Sequence, residues 1–209
     1  MFALVESGSI TSMPKGNKGI KIGDYNYPPA VFTLWSESER NAIGIYTVEI
    51  DDTNKKDEAW YINTSITYAF GSGKVTGTYG TATARAHADT KWTQKEIDDG
   101  NAPSGADTDT IKDEGLKTQL IKVVKRQAEG ILNQTDWYIT RKTEKSTAIP
   151  SAITTHRDAV RTKQASMETA ITNASDTPAL ETLYTYVNTA DEGEPIVMER
   201  PIGLLPSLS

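Results

Sequence analysis

The chain has 209 residues, with 22 Lys plus Arg against 28 Asp plus Glu and a net charge of −6. Its hydrophobic fraction of 37% stays under the usual globular share even when the 15 glycines are added, which points to two small domains, or an extended chain ordered by neighbours, rather than one large-cored enzyme domain. The acidic balance argues against a broad nucleic-acid surface, the lack of Cys excludes disulfides, zinc–thiolate sites and cysteine nucleophiles, no apolar run is long enough for a membrane span, and Met1–Glu6 lacks the features of a signal peptide.

In chain order, Phe2–Val5 reads as a short strand, followed by a turn-rich loop from Met13 to Gly19. Ile20 and Ile22 suggest a strand before Gly23, and Tyr25–Pro29 must be extended because each Pro disfavours a helical residue before it. Val31–Trp35 is an apolar run. Ser36 and Glu39 form a capping box that predicts a helix from Glu37 to about Ile43, with Gly44 as its left-handed end. Ile45–Ile50 alternates, placing Tyr46, Val48 and Ile50 on one face. After the polar stretch Asp51–Asp57, the residues Trp60, Ile62, Thr64, Ile66, Tyr68 and Phe70 share a period-2 face. Gly71-Ser72-Gly73 turns the chain and Val75–Thr83 returns, so 60–83 reads as a β-hairpin.

A second capping box, Thr93 with Glu96, opens a short helix that Gly100 ends. Residues 100–110 hold Gly, Asn, Pro, Ser and Asp with almost no apolar content, the strongest domain-boundary signal in the chain. Beyond it the spacing of Ile111, Leu116, Leu120, Val123 or Val124, Gln127 and Ile131 predicts a helix over about 109–131, with Gly115 as a candidate late start. Thr135 or Asp136 caps a turn of helix carrying Trp137 and Tyr138. Pro150 opens a third helix with Ile153, His156, Val160, Gln164, Met167 and Ile171 on one stripe, and Asp176-Thr177-Pro178 opens a fourth with Leu180, Leu183, Tyr184 and Val187 inward. The expected fold is α+β: a small antiparallel β-rich domain at 1–100, a linker at 101–110, a helical domain at 111–190 and an irregular tail at 191–209. Ile202, Leu204 and Leu205 in that tail need a surface to lie on, either this chain's or a partner's.

Charge is segregated. Leu116–Lys163 carries ten basic and four acidic residues, whereas Gln164 to the end carries seven acids and one Arg. Two readings stand: separate solvated faces, or a complementarity that docks the acidic tail on the basic helices of this chain or of a neighbouring subunit.

The patterns that invite chemistry fail in detail. Gly71-Ser-Gly-Lys74 has Tyr68 where a phosphate loop needs its first Gly, and a strand where it needs a helix. His87 near Asp89 is short of the three or four ligands of a metal site. A calcium loop starting at Asp52 has Lys56 and Asp57 where an acceptor and Gly belong. Lys117, Lys122, Lys125 and Arg126 form a basic patch without interleaved aromatics for base stacking. His156 reads as a packed histidine or as a pH-sensitive contact. No cofactor and no metal is expected. Trp35, Trp60, Trp92 and Trp137 each sit near an element edge among polar residues, as local core plugs or as partner anchors.

One segment is more specific. Leu132, Thr135-Asp136-Trp137-Tyr138, Arg141, Glu144, Ile149-Pro150, Arg157 and Arg161 resemble the C-terminal segment of tailed-bacteriophage tail proteins of the tail fibre assembly and tail assembly chaperone group, including related small virion proteins. Ile131 stands for that pattern's first Leu and His156 for its usual Tyr. Tyr27-Pro28, Phe32–Trp35, Ser38–Arg40 and Gly44–Tyr46 resemble the opening of such proteins, and the usual ending near Trp-Pro is absent. The resemblance covers most of residues 20–161. It implies no catalytic set and no enzyme. It implies a role at a phage tail, either as a structural adaptor of tail, baseplate or fibre attachment, repeated by symmetry in the virion, or as a chaperone that holds subunits in the host bacterial cytoplasm and then leaves. Partners would be other tail or fibre proteins and further copies of the chain, with no nucleic acid and no membrane. Partner contacts are expected at Trp35, Trp60, Trp92, Trp137, Tyr138, His156, Ile202, Leu204 and Leu205. A tail that binds a neighbour in extended form would also be dispensable for the folding of 109–187.

Overall fold

The computed structural model describes residues 1–208. The fold is α+β, with strands before helices and a short hairpin after them. The chain divides into two compact units, Met1–Thr83 and Ala84–Ser209.

The first unit is built on strands β1 (Phe2–Glu6), β2 (Ser9–Ser12), β3 (Ile20–Ile22), β4 (Tyr25–Tyr27), β5 (Ile45–Asp51), β6 (Tyr61–Ile62), β7 (Ile66–Gly71) and β8 (Lys74–Tyr79), with a 3-10 turn at Pro29–Phe32 and helix α1 (Glu37–Ala42). Three tight hairpins shape it. Ser7-Gly8 joins β1 to β2 and Ser72-Gly73 joins β7 to β8, with both residues of each pair at positive φ, the conformation that matches the twist of paired strands. Gly23 turns β3 into β4. Both halves of the Ser36–Glu39 capping box form, and Gly44 takes positive φ just past α1.

The main sheet has the order β2-β1-β5-β8-β7 and curls until its outer strands, β2 and β7, meet. Its pairs are antiparallel except β5–β8, which is parallel because β7 returns along the far side before β8 enters beside β5. The four-residue apolar run of β1 is buried on both faces. Ala3 and Val5 pack with Val48, Val75, Tyr46, Tyr68 and Phe70, while Leu4 packs with Val31, Phe32, Ile45 and Trp35 on the other side. Gly77 of β8 has a packing reason. A Cβ there would stand 2.8 Å from Tyr68, 2.9 Å from Ile66 and 3.0 Å from Ile50.

The second unit begins within β9 (Thr83–Ala84) and continues through β10 (Thr90–Lys91), α2 (Gln94–Asp98), β11 (Ile111–Asp113), α3 (Leu116–Asn133), α4 (Asp136–Lys145), α5 (Ser151–Asn173), α6 (Thr177–Tyr184), β12 (Val187–Asn188) and β13 (Met198–Glu199). Its core is the seam between α3 and α5, closed by α6. Val124 and Ala128 of α3, Val160, Met167 and Ile171 of α5, and Leu180 of α6 are buried.

Four expectations change here. The polar stretch 101–110 is not a linker between units. It lies inside the second one, as the excursion between the paired strands β10 and β11. The helix expected over about 109–131 spans Leu116–Asn133, with the candidate late start Gly115 as its N-cap, and Ile111 lies exposed in β11. Val187 is not an inward helix residue but an exposed one in β12, at 42%. The tail is not wholly irregular, because β12 and β13 form a hairpin and Ile202 beyond it is buried in its own unit at 3%. The Ile202 N–H donates to the Leu183 carbonyl at 3.0 Å. Removing everything after Asp191 would therefore take a core residue away from the helices.

Candidate interaction surface

A strap formed by residues 85–91 fastens the second unit. Gly115 at the start of α3 supplies no capping side chain, so the free N–H groups of the first turn are satisfied from the strap. The Leu116 N–H donates to the Ala86 carbonyl at 2.9 Å and the Lys117 N–H to the His87 carbonyl at 3.0 Å. The Asp89 carboxylate accepts from the Gly115 N–H at 2.7 Å and from the Thr118 hydroxyl at 2.8 Å. An acid at a helix N-terminus also suits the helix dipole. Glycine is required at 115 because a Cβ would lie 2.3 Å from the Ala88 carbonyl carbon. The Thr177 hydroxyl at the start of α6 donates to the Arg85 carbonyl at 2.6 Å. These bonds explain why the unit begins at 84.

The Thr135–Tyr138 segment makes the corner between α3 and α4. Arg157 of α5 is buried there. Its Nη1 faces three oxygens: the Leu132 carbonyl at 2.7 Å, the Thr135 hydroxyl at 2.6 Å and Asp136 Oδ1 at 2.8 Å. Leu132 lies in the last turn of α3, where carbonyls lack helical partners and cations are favoured. A buried guanidinium is tolerable only with such acceptors. The fully buried Thr135 also donates from its hydroxyl to the Leu132 carbonyl at 3.0 Å. Half of the Thr-Asp-Trp-Tyr segment is thus joinery.

In the other half Trp137 is displayed and Tyr138 is half-buried beside it. Trp137 is 51% exposed and Ile139 is also exposed. The Trp137 and Tyr138 rings lie with centroids 3.8 Å apart, and the Arg141 guanidinium sits 4.7 Å from the first and 5.2 Å from the second. Trp, Tyr and Arg are the residues over-represented at the energetic centres of protein interfaces. Arg141 is one turn on from Trp137, and Lys145 one turn further.

The C-terminal hairpin displays a second apolar surface. Tyr186, Val187, Ile196, Val197 and Met198 are exposed, as is Leu204 beyond it at 68%. A pocket of about 340 Å3 opens there, lined by Tyr186, Met198, Glu199, Arg200, Gly203 and Leu204. The Arg200 guanidinium lies 5.4 Å from the Tyr186 ring and 5.9 Å from the Tyr184 ring. Burial pushes the Tyr184 phenol up from its ordinary pKa, against the pull of Arg200. The loop of the hairpin is held by the Asn188 side chain, whose Oδ1 accepts from the Val197 N–H at 3.0 Å and the Ala190 N–H at 3.2 Å. It presents Asp191, Glu192 and Glu194, all exposed.

The remaining expected contact residues fall elsewhere. Trp35 is half-buried against Tyr27, edge to face at 5.9 Å. Trp60 is half-buried in the turn before β6. Trp92 is half-buried under Lys112, whose ammonium lies 5.0 Å from its ring. His156 is half-buried on α5, with Nε2 buried and without a hydrogen-bond partner. Leu205 is half-buried, whereas Ile202 is core. Sequence reasoning missed Asp89, Tyr186, Met198 and Arg200, and gave Arg157 no role of its own. The patterns set aside as chemistry have local structural roles. Asp51 accepts from the Thr53 amide and hydroxyl, which lowers its pKa, and Ser72-Gly73 is a hairpin turn. Among the described residues no cluster of His, Asp or Glu could hold a metal ion, and no helix is long and apolar enough to cross a membrane.

No family model, no curated protein and no solved structure matches the chain.

Proposed function

We propose that this chain is a non-enzymatic structural component of a bacteriophage tail, baseplate or fibre-attachment apparatus, an adaptor that acts by binding other virion subunits. The observation that carries the reading is the Thr135–Tyr138 segment. It resembles the corresponding segment of phage tail proteins, and its Trp137 and Tyr138 rings are set out on α4 beside Arg141. The exposed apolar side chains of the C-terminal hairpin support the same reading, because a contiguous exposed apolar patch marks a contact surface. On this reading the protein is made in the host bacterial cytoplasm, resides in the virion tail, and has other tail or fibre proteins as partners.

The group that carries the resemblance also contains assembly chaperones, and the same ring pair would serve a transient hold on fibre subunits. A quantitative protein inventory of purified mature particles separates the two. A fixed stoichiometric copy number is the expected result. Absence from particles, with recovery from lysate bound to unassembled fibre subunits, would replace the adaptor by the chaperone.

A further inference from the structure

We propose that the α4 face of one copy of this chain docks on the C-terminal hairpin of a second copy, with Trp137 entering the pocket beside Tyr186, Met198 and Leu204. The two surfaces are complementary in charge. Arg141, Lys142 and Lys145 stand on α4 with one acid, Glu144, among them, and no ion pair among the described residues engages any of the three cations. The hairpin loop carries Asp191, Glu192 and Glu194 with no base before Arg200, and none of these acids is ion-paired among the described residues.

They are also complementary in shape and length. Trp137 projects at 51% exposure, and the pocket of about 340 Å3 offers it Tyr186, Met198 and Leu204, with Glu199 and Arg200 also in the lining. From Trp137 to Lys145 the helix rises about 12 Å at 1.5 Å per residue. From Met198 back to Glu194 an extended chain spans about 13 Å at roughly 3.3 Å per residue. With Trp137 in the pocket, the cations at the far end of α4 therefore come level with the acidic turn, and the 76%-exposed Ile196 falls between. In the single chain both surfaces are left open, so the contact joins two copies. The loop is already tied by Asn188 and the rings already stacked, which lowers the ordering cost of association.

The test uses the full chain in sedimentation velocity across a concentration series, at low salt and at high salt. Self-association is expected, weaker at high salt because the exposed charges are screened. Trp137→Ala is expected to weaken it by at least about thirtyfold, the loss typical of an interface hot spot. Two doubly changed proteins make the decisive comparison. W137A/R141E retains an intact hairpin, and E192K/E194K retains an intact α4. Each alone is expected to be monomeric, and their mixture to associate again, because it restores one good contact. Chain mass then reads whether the contact closes as a pair or continues into a ring. A wild-type monomer throughout, up to roughly 100 µM, would overturn the proposal. So would an oligomer unmoved by either change, or one lost in both proteins with no recovery on mixing. If Trp137→Ala instead releases a different tail protein while the mass of the chain alone is unchanged, the face belongs to that partner and the second-copy assignment is wrong.

Discussion

Replacing Arg157 by Met keeps the bulk of the side chain and removes its charge, which isolates what the guanidinium does at the α3–α4 corner. In the native protein Nη1 lies within 2.8 Å of three oxygens, from Leu132, Thr135 and Asp136. Hydrogen bonds to a charged group contribute about 1.5–3 kcal/mol each. The Asp136 component adds little, since that carboxylate is half exposed and solvent screens it. Against this, the variant no longer has to desolvate a cation. The Leu132 carbonyl keeps its bond from the Thr135 hydroxyl, so it is not orphaned. The balance is a destabilisation of about 2–3 kcal/mol. For a unit of this size that is a fall in Tm of roughly 6–12 °C, readable by differential scanning calorimetry. Arg157→Lys should recover part of it, because an ammonium meets fewer of the three acceptors at once. A Tm within about 1 °C of wild type for Arg157→Met would refute the assignment of the corner to this side chain. It would mean that the apolar packing of α3 on α5 alone sets the geometry.

Other outcomes follow from the same structure. Asp89→Ala should cost about 1 kcal/mol, as loss of a helix N-cap does, and should speed amide exchange at Gly115 and in the first turn of α3. Gly115→Ala should cost more than that cap, because the added methyl meets the backbone of Ala88 rather than a movable side chain; urea denaturation measures it. Gly77→Ala should destabilise the first unit by about 1–3 kcal/mol by overpacking against Tyr68, Ile66 and Ile50, seen as a lower urea midpoint. Lys112, followed by the Thr93 amide and hydroxyl, holds the Glu96 carboxyl at about 2, below its ordinary 4.5. Because the folded value is depressed, this contribution is full above pH 4.5 and is lost as pH falls toward 2. A carboxyl-carbon NMR titration should place the Glu96 midpoint near that value, and Lys112→Met should move it upward.

The features legible in residue order alone are local. Ser36 with Glu39, and Thr93 with Glu96, form their capping boxes because the partners lie within one turn and need nothing from the rest of the chain. The Gly71–Gly73 turn and the alternation of Ile66, Tyr68 and Phe70 likewise settle the β7–β8 hairpin. The first hairpin went unread although Ser7-Gly8 repeats the Ser72-Gly73 turn, because its second strand, Ser and Thr around one Ile, carries little apolar signal. The stripe of α5 was legible too, apart from Arg157, whose burial depends on oxygens offered by another helix.

Long-range contacts set the remainder. The parallel β5–β8 pair follows from where β7 returns, which no short window of sequence encodes. The polar 101–110 stretch reads as a linker because composition reports solvation. Its two ends are joined by the pairing of β10 with β11, and that pairing is long-range. The division of Thr135–Tyr138 into a lock on Arg157 and a ring pair with an exposed Trp137 is equally a matter of neighbours. Thr135 and Asp136 are claimed by Arg157, which lies a helix away, while Trp137 is met by Tyr138 and Arg141 of its own helix and stays 51% exposed. Ile202 and Leu204, two residues apart in one apolar run, separate for the same reason: the first finds the Leu183 carbonyl and the core of its own unit, and the second is left at the mouth of a pocket.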